Sequence, residues 1–151
     1  GGLLDAAGDI GSFMIPKGKP VVLEEDSKKN RETLPTHGGD VLSGIPTAVL
    51  INEGSASAAE ILSAALRENR DNVTLIGKKS FGKGSVQELV PVSKDTSFKV
   101  TVARWLTPNG EQINKAGIKP DIDIDRTNED FAANRDPQMD KALEVVNEKA
   151  K

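Results

Sequence analysis

The sequence predicts an α/β fold, in which buried strands alternate with amphipathic helices. Two continuous apolar runs, at residues 47–51 and 73–76, have the pattern expected of strands that are buried on both faces. Between them, the apolar residues from Ile61 to Leu66 recur at helical spacing. This order of strand, helix and strand is typical of open α/β sheets.

Length and composition narrow the range of functions. The chain has 151 residues and a net charge of −3, which fits one globular domain and argues against a general nucleic-acid binder. Because there is no cysteine, disulfides, cysteine-ligated zinc and thiol nucleophiles are excluded. His37 is the one histidine, so a serine–histidine–aspartate triad would require it. An enzyme of this composition must therefore use hydroxyls, amines, carboxylates and backbone groups.

The N-terminal third shows one helix and one short strand. Apolar residues at helical spacing predict a helix from Leu3 to Met14, which ends before Pro16. A short strand is predicted at residues 21–23. The charged stretch from Glu24 to Leu42 contains Pro35 and two glycines, which indicates a mobile connection. His37 lies in this stretch and is predicted to be an exposed loop residue.

The second half of the chain favours extended structure and ends in a helix. Alternating apolar residues and turn-forming residues predict these elements in order: an extended segment at 86–92, a turn at 93–96, a strand at 98–105, a turn at 107–110, an edge strand at 118–125 and a helix beginning near Pro137.

The segment between strand 47–51 and its following helix is rich in small residues. Ligands tend to bind at such a strand–helix junction, because backbone N–H groups converge there.

The first of three candidate sites is the glycine-rich loop from Gly77 to Gly84. It follows a strand and fits the spacing G-x-x-x-x-G-K of a phosphate-binding loop. However, Gly84 stands where serine or threonine should bind magnesium, and the following residues favour a strand over the required helix. A glycine-rich turn therefore explains this loop better than a nucleotide site.

The second candidate is the carboxylate series Asp121, Asp123 and Asp125. Residues at this spacing share one face of a strand and could bind a hard cation through oxygen. No glycine turn or later bidentate glutamate completes a calcium-binding loop. Solvated charges that discourage pairing at a sheet edge are the better explanation, so no metal site is predicted.

The third candidate pairs Ser57 with Lys83. A serine hydroxyl needs a base to become nucleophilic, and lysine is the remaining partner in a chain with no cysteine. A lysine amine ordinarily has a pKa of about 10.4, so a lysine base must be desolvated. Phe81 could exclude water, and Gly82 and Gly84 would allow close backbone approach. From spacing alone, close packing of small residues remains the competing explanation.

Several blocks of sequence together resemble one family, the carboxy-terminal processing or tail-specific proteases. The blocks occur in the family's order across most of the chain: Gly1 to Leu4, Phe13 to Gly18, Asn52 to Ile61, Phe81 to Gln87 and Gly117 to Ile122. The resemblance implies an α/β domain similar to the ClpP/crotonase spiral of strands and helices, and a serine–lysine endopeptidase without cofactors that acts on C-terminal regions of proteins.

Site residues follow from the same resemblance. Ser57 corresponds to the nucleophile and Lys83 to the general base, and Gln87 corresponds to the residue that orients this lysine. The backbone N–H groups of Gly2 and Ala58 correspond to the oxyanion hole. Relatives often have an aspartate at the position of Glu68, which is therefore left out of the catalytic set.

The resemblance also sets expectations for domain organisation. It places residues 1–125 in the C-terminal part of a catalytic domain, and residues 126–151 in a polar linker and helix. The upstream part and the substrate-binding PDZ domain are expected to be missing, because the chain begins within a family motif. Partners would be protein or peptide substrates bound by their C-terminal tails, with self-association left open, and the location would be bacterial and extracytoplasmic. The alternative is a catalytically inert fragment or an interaction domain.

Overall fold

The computed structural model describes residues 1–151 and confirms the α/β prediction. In chain order the elements are α1 (Leu4–Met14), β1 (Pro20–Asp26), β2 (Arg31–Pro35), β3 (Thr47–Ile51), α2 (Ala58–Asn69), β4 (Val73–Gly77), β5 (Ser85–Ser93), β6 (Thr96–Leu106), β7 (Ile122–Asp123), α3 (Asn128–Ala132) and α4 (Pro137–Lys149). No helix combines the length and apolar character that a membrane crossing would require.

A parallel sheet in the order β3-β4-β7 positions the candidate site. Val49 of β3 lies opposite Leu75 of β4, and Ile76 lies opposite Ile122 of β7. Because parallel strands end at the same edge of a sheet, the segments that follow β3 and β4 leave the sheet side by side. These segments contain Ser57 and Lys83, respectively.

An antiparallel sheet in the order β2-β1-β6-β5 corrects the prediction of a mobile connection. β1 continues to Asp26 and β2 pairs with it, so the charged residues at 24–26 and 31–32 lie within strands. The Glu25 side chain is only 4% exposed and forms ion pairs with Lys29, Arg31 and Arg104. Arg104 is distant in sequence, so local composition could not indicate this pairing.

The hydrophobic core lies between α2 and both sheets. Ile61 and Leu66 of α2 pack in one cluster with Val21 of β1 and Leu75 of β4. α1 crosses α2 closely at Gly11, where an added Cβ would lie 3.8 Å from Leu62 Cδ1. The stripe of apolar residues on α2 thus fixes the helix whose N-terminus carries the candidate nucleophile.

The C-terminal region packs against the parallel sheet. Ala142 and Val145 of α4 form a second small cluster with Ile76 of β4. The helix α3 was not predicted, and the edge strand predicted at 118–125 is limited to β7. The prediction of solvated carboxylates is also wrong in part, because Asp121 accepts a hydrogen bond from the Leu75 N–H and Asp123 pairs with Lys78.

Candidate active site

Ser57 lies in a strained turn between β3 and α2. Its backbone angles are φ 58° and ψ −121°, in a region that residues other than glycine rarely adopt. The Ser57 hydroxyl makes no hydrogen bond that caps α2. By contrast, the Ser55 hydroxyl accepts a hydrogen bond from the Asn52 N–H within the turn. Of the two serines, Ser57 therefore has the hydroxyl that is available for chemistry.

The buried carboxylate of Glu60 binds the Ser57 turn and the glycine-rich loop together. This residue is 1% exposed, and its two oxygens accept hydrogen bonds from four donors. Oε1 accepts from the Ser80 hydroxyl at 2.5 Å and from the Gly82 N–H at 2.6 Å. Oε2 accepts from the Ser57 N–H at 2.9 Å and from the Lys83 N–H at 2.8 Å. Because one oxygen serves both Ser57 and Lys83, their backbones are held close together.

Other backbone contacts fix the loop that carries Lys83. The Phe81 N–H donates to the Ser55 carbonyl at 2.9 Å, and the Ser80 hydroxyl accepts from the Ile118 N–H at 2.6 Å. Gly82 has a φ of 88°, and an added Cβ at Gly84 would meet the Asn114 backbone nitrogen. The loop leads into strand β5, which confirms that it lacks the helix of a phosphate-binding loop.

The side chains of Lys83 and Gln87 are exposed and are not in contact with Ser57 through hydrogen bonds. Phe81 is 66% exposed, so the expectation that it shields the lysine from water is wrong for this structure. The Gln87 amide donates to the Thr101 hydroxyl at 3.4 Å instead of binding Lys83. A register shift between Val86 and Gln87 sets this pairing across the two strands. The structure thus brings the backbones of the predicted dyad together, while the amine points into solvent.

The predicted oxyanion donors, Gly2 and Ala58, lie close to each other at the Ser57 turn. Gly1 packs against this turn, since an added Cβ there would lie 3.2 Å from the Ala56 carbonyl oxygen and 3.8 Å from Ser57 Cβ. An added Cβ at Gly2 would lie 3.9 Å from Ala58 Cβ. Neither the Gly2 nor the Ala58 N–H donates a hydrogen bond within the chain. Two unpaired N–H groups next to a free hydroxyl can stabilise an oxyanion.

His37 and Glu68 lie outside this arrangement. The exposed imidazole of His37 pairs with Asp9 on α1 at 3.2 Å, and its Nδ1 lies 3.4 Å from the Ser12 hydroxyl. The Ser12 hydroxyl is buried and donates to the Gly8 carbonyl, so it is not available as a nucleophile. Glu68 accepts from the Asn109 N–H and so fixes the turn after β6.

Sequence reasoning missed the role of Glu60. Its position three residues after Ser57, where a helix begins, matches the capping-box pattern, and its carboxylate does accept from the Ser57 N–H. That signal predicts a cap for α2. It does not predict the contacts with Ser80, Gly82 and Lys83, because these residues lie 20, 22 and 23 positions further along the chain.

Comparison with known proteins shows which protein family this chain is similar to. Residues 1–124 match the model of peptidase family S41. The chain is 43% identical over 122 residues to the carboxy-terminal processing protease CtpA of Bacillus subtilis, covering 81% of this chain and 26% of the relative. It is 37% identical over 149 residues to the carboxyl-terminal-processing protease of Synechocystis sp., covering 97% of this chain and 34% of the relative. The chain thus spans about a quarter to a third of the length of these relatives.

Solved structures show the same likeness. The photosystem II D1 C-terminal processing protease aligns with a TM-score of 0.76 at 38% identity, covering 83% of this chain and 32% of that one. A putative S41 protease from Bacteroides fragilis aligns with a TM-score of 0.75 over 97% of this chain and 42% of that one, and its 19% identity makes this a likeness of fold alone. These matches confirm an α/β fold that forms part of a protease domain.

Proposed function

The chain belongs to peptidase family S41, and from that premise we propose that it carries the catalytic centre of a serine protease that processes the C-terminal regions of proteins. The observation that carries this proposal is the shared oxygen of Glu60, which accepts from the Ser57 and the Lys83 backbones. This contact holds the two backbones close together, so that a hydroxyl and an amine start from neighbouring positions, which supports their use as a nucleophile and its base.

In the proposed reaction, the Ser57 hydroxyl attacks the scissile carbonyl carbon while the neutral Lys83 amine takes the hydroxyl proton. The carbonyl oxygen gains negative charge and is stabilised by the Gly2 and Ala58 N–H groups. Collapse of this intermediate breaks the C–N bond, and Lys83 returns the proton to the leaving amine. Water then attacks the acyl-enzyme while Lys83 takes a proton from it. Lys83 gives this proton to the Ser57 oxygen as the ester C–O bond breaks, which releases the new C-terminal carboxylate and restores Ser57 and neutral Lys83.

Lys83 needs a change of environment to act as this base. Its side chain is exposed and makes no hydrogen bond to Ser57, whereas a lysine nucleophile or base works from a site that excludes water. We expect a bound substrate to cover Lys83 and exclude water. In that state Gln87 would exchange its 3.4 Å contact with Thr101 for one with Lys83. Ordering of the amine by substrate is consistent with the way catalytic hydrogen bonds tighten in complexes.

The test is cleavage of an unstructured peptide, followed by mass spectrometry. Ser57→Ala and Lys83→Ala should each remove cleavage while the fold, followed by circular dichroism, is kept. Ser97→Ala and Lys79→Ala are matched controls, because both residues are exposed and lie outside the site. Wild-type turnover by either site variant would refute the mechanism.

A catalytically inert domain is the alternative, and the exposed Lys83 amine is the observation that favours it. This alternative predicts that no peptide is cut in a Ser57-dependent manner.

Substrate class and location are part of the proposal. The relatives are named for C-terminal processing, which supports protein or peptide substrates recognised by their C-terminal tails. One relative, from Tetradesmus obliquus, is named as chloroplastic, and others are bacterial. We propose an extracytoplasmic location in a bacterium, which fractionation of cells followed by immunoblotting would test.

A further inference from the structure

The segment 113–118, which we call the backing segment, lies directly behind the glycine-rich loop. Two backbone hydrogen bonds join them: the Lys115 N–H donates to the Gly82 carbonyl at 2.8 Å, and the Ser80 N–H donates to the Ile118 carbonyl at 3.0 Å. The approach is close, because an added Cβ at Gly82 would lie 3.1 Å from the Lys115 carbonyl carbon. The position of the glycine-rich loop therefore depends on the backing segment.

The side chain of Ser80 continues this contact into the site. Ser80 is 4% exposed, and its hydroxyl takes part in two hydrogen bonds. The oxygen accepts from the Ile118 N–H at 2.6 Å, and the hydroxyl donates to Glu60 Oε1 at 2.5 Å. The Ser80 hydroxyl thus joins the backing segment to the buried carboxylate that accepts from the Ser57 and Lys83 N–H groups.

We infer that Ser80 is a positioning residue of the proposed protease, which acts through Glu60 to hold the Ser57 turn in its reactive geometry. The inference rests on the proposed function, because it takes Ser57 as the nucleophile. Ser80 itself does not touch substrate in this role.

The Ser57 turn needs such support because its backbone is strained. With φ 58° and ψ −121°, Ser57 has a conformation that persists only where the surrounding structure holds it. Its N–H donates to Glu60 Oε2 at 2.9 Å, so the direction of this carboxylate helps to set the turn. The other oxygen, Oε1, accepts from the Ser80 hydroxyl and from the Gly82 N–H, and these two donors fix the rotation of the carboxylate.

Loss of the Ser80 hydroxyl would release this arrangement in two ways. Glu60 would keep one donor on Oε1, and the buried Ile118 N–H would lose its side-chain acceptor. The carboxylate could then rotate away from the Ser57 N–H, and the turn would relax toward ordinary backbone angles. The Ser57 hydroxyl would leave the position in which Lys83 and the predicted oxyanion donors can act on it.

The experiment measures kcat and KM for cleavage of an unstructured peptide, at a temperature well below the unfolding transition of every variant. Ser80→Ala should lower kcat about 10- to 100-fold with little change in KM, because a misplacement of about 1 Å in a catalytic geometry can cost about 100-fold in rate. Ser80→Cys keeps a side chain of similar shape with a weaker donor and acceptor. It should also lower kcat, and it covers the case in which Ser80→Ala does not fold.

Ser63→Ala is the matched control, because Ser63 is also 4% exposed but its hydroxyl donates to the Ala59 carbonyl within α2 at 2.7 Å. It should keep the wild-type kcat. Ser57-dependent cleavage with wild-type kcat in Ser80→Ala and Ser80→Cys would overturn the positioning role and leave the proposed function intact. An equal fall of kcat in Ser63→Ala would also overturn it, since any buried hydroxyl would then have the same effect. If the wild-type protein cuts no peptide in a Ser57-dependent manner, the proposed function fails and the positioning role fails with it.

Discussion

Replacement of Glu60 by glutamine is the most direct test of how the site is held together. The carboxylate accepts from four donors, two on each oxygen. Glutamine keeps one of the two oxygens and presents an amide NH₂ in place of the other. Two of the four donors would then face another donor, whichever way the amide is oriented.

The expected cost follows from these two donors. A buried donor left without a partner costs about 1–3 kcal/mol, so Glu60→Gln should lower the free energy of unfolding by about 4 kcal/mol. For a chain of this size, this corresponds to a fall in Tm of about 10 °C. Because Glu60 positions Ser57 and Lys83 without touching substrate, kcat should fall while KM changes little.

Two measurements check this prediction. Urea unfolding gives the change in stability, and peptide cleavage below the transition gives kcat and KM separately. Glu144→Gln is the matched control: Glu144 is also on a helix, but its side chain is 53% exposed and pairs only with Lys141. This control should cost well under 1 kcal/mol. Wild-type stability and turnover in Glu60→Gln would refute the positioning role.

The remaining predictions concern the fold around the site. Hydrogen bonds from Arg31 and Lys29, with a further one from Arg104, lower the pKa of Glu25 from its usual 4.5 to about 2. Because this pKa is depressed by folding, the ion pairs stabilise the protein above pH 4.5, and that contribution is lost as pH falls to about 2. Urea unfolding at several pH values should show this loss in wild type and a smaller loss over the same window in Glu25→Gln. Leu75→Ala should cost about 2–5 kcal/mol in urea unfolding, because Leu75 is fully buried, and a cost below 1 kcal/mol would contradict the described core. Gly84→Ala should lower kcat and Tm together, since its Cβ would meet the Asn114 backbone; unchanged values would contradict that close approach.

Local sequence patterns predicted the helices and strands that are determined by residues close together in the sequence. The β-branched run at 47–51 predicted β3 with its observed bounds, and the apolar spacing at 61–66 predicted the helix α2 that contains these residues. The turn residues at 93–96 gave the hairpin of β5 and β6 in the same way. By contrast, β2 was missed, because the charged residues around it are stabilised by partners such as Arg104 on β6.

The sequence by itself determined which groups could do chemistry. The absence of cysteine and the position of His37 leave hydroxyls and amines, and the block around Ser57 lies where a strand meets a helix. Only the tertiary structure decided how these groups are held. The contacts of Glu60 with the loop of Lys83 join segments that are distant in sequence, and so does the approach of Gly2 to Ala58. Such contacts form only when the core packs. Packing brings backbone N–H groups from separate segments within hydrogen-bond distance of the buried Glu60 carboxylate, and no local sequence pattern specifies which groups these are.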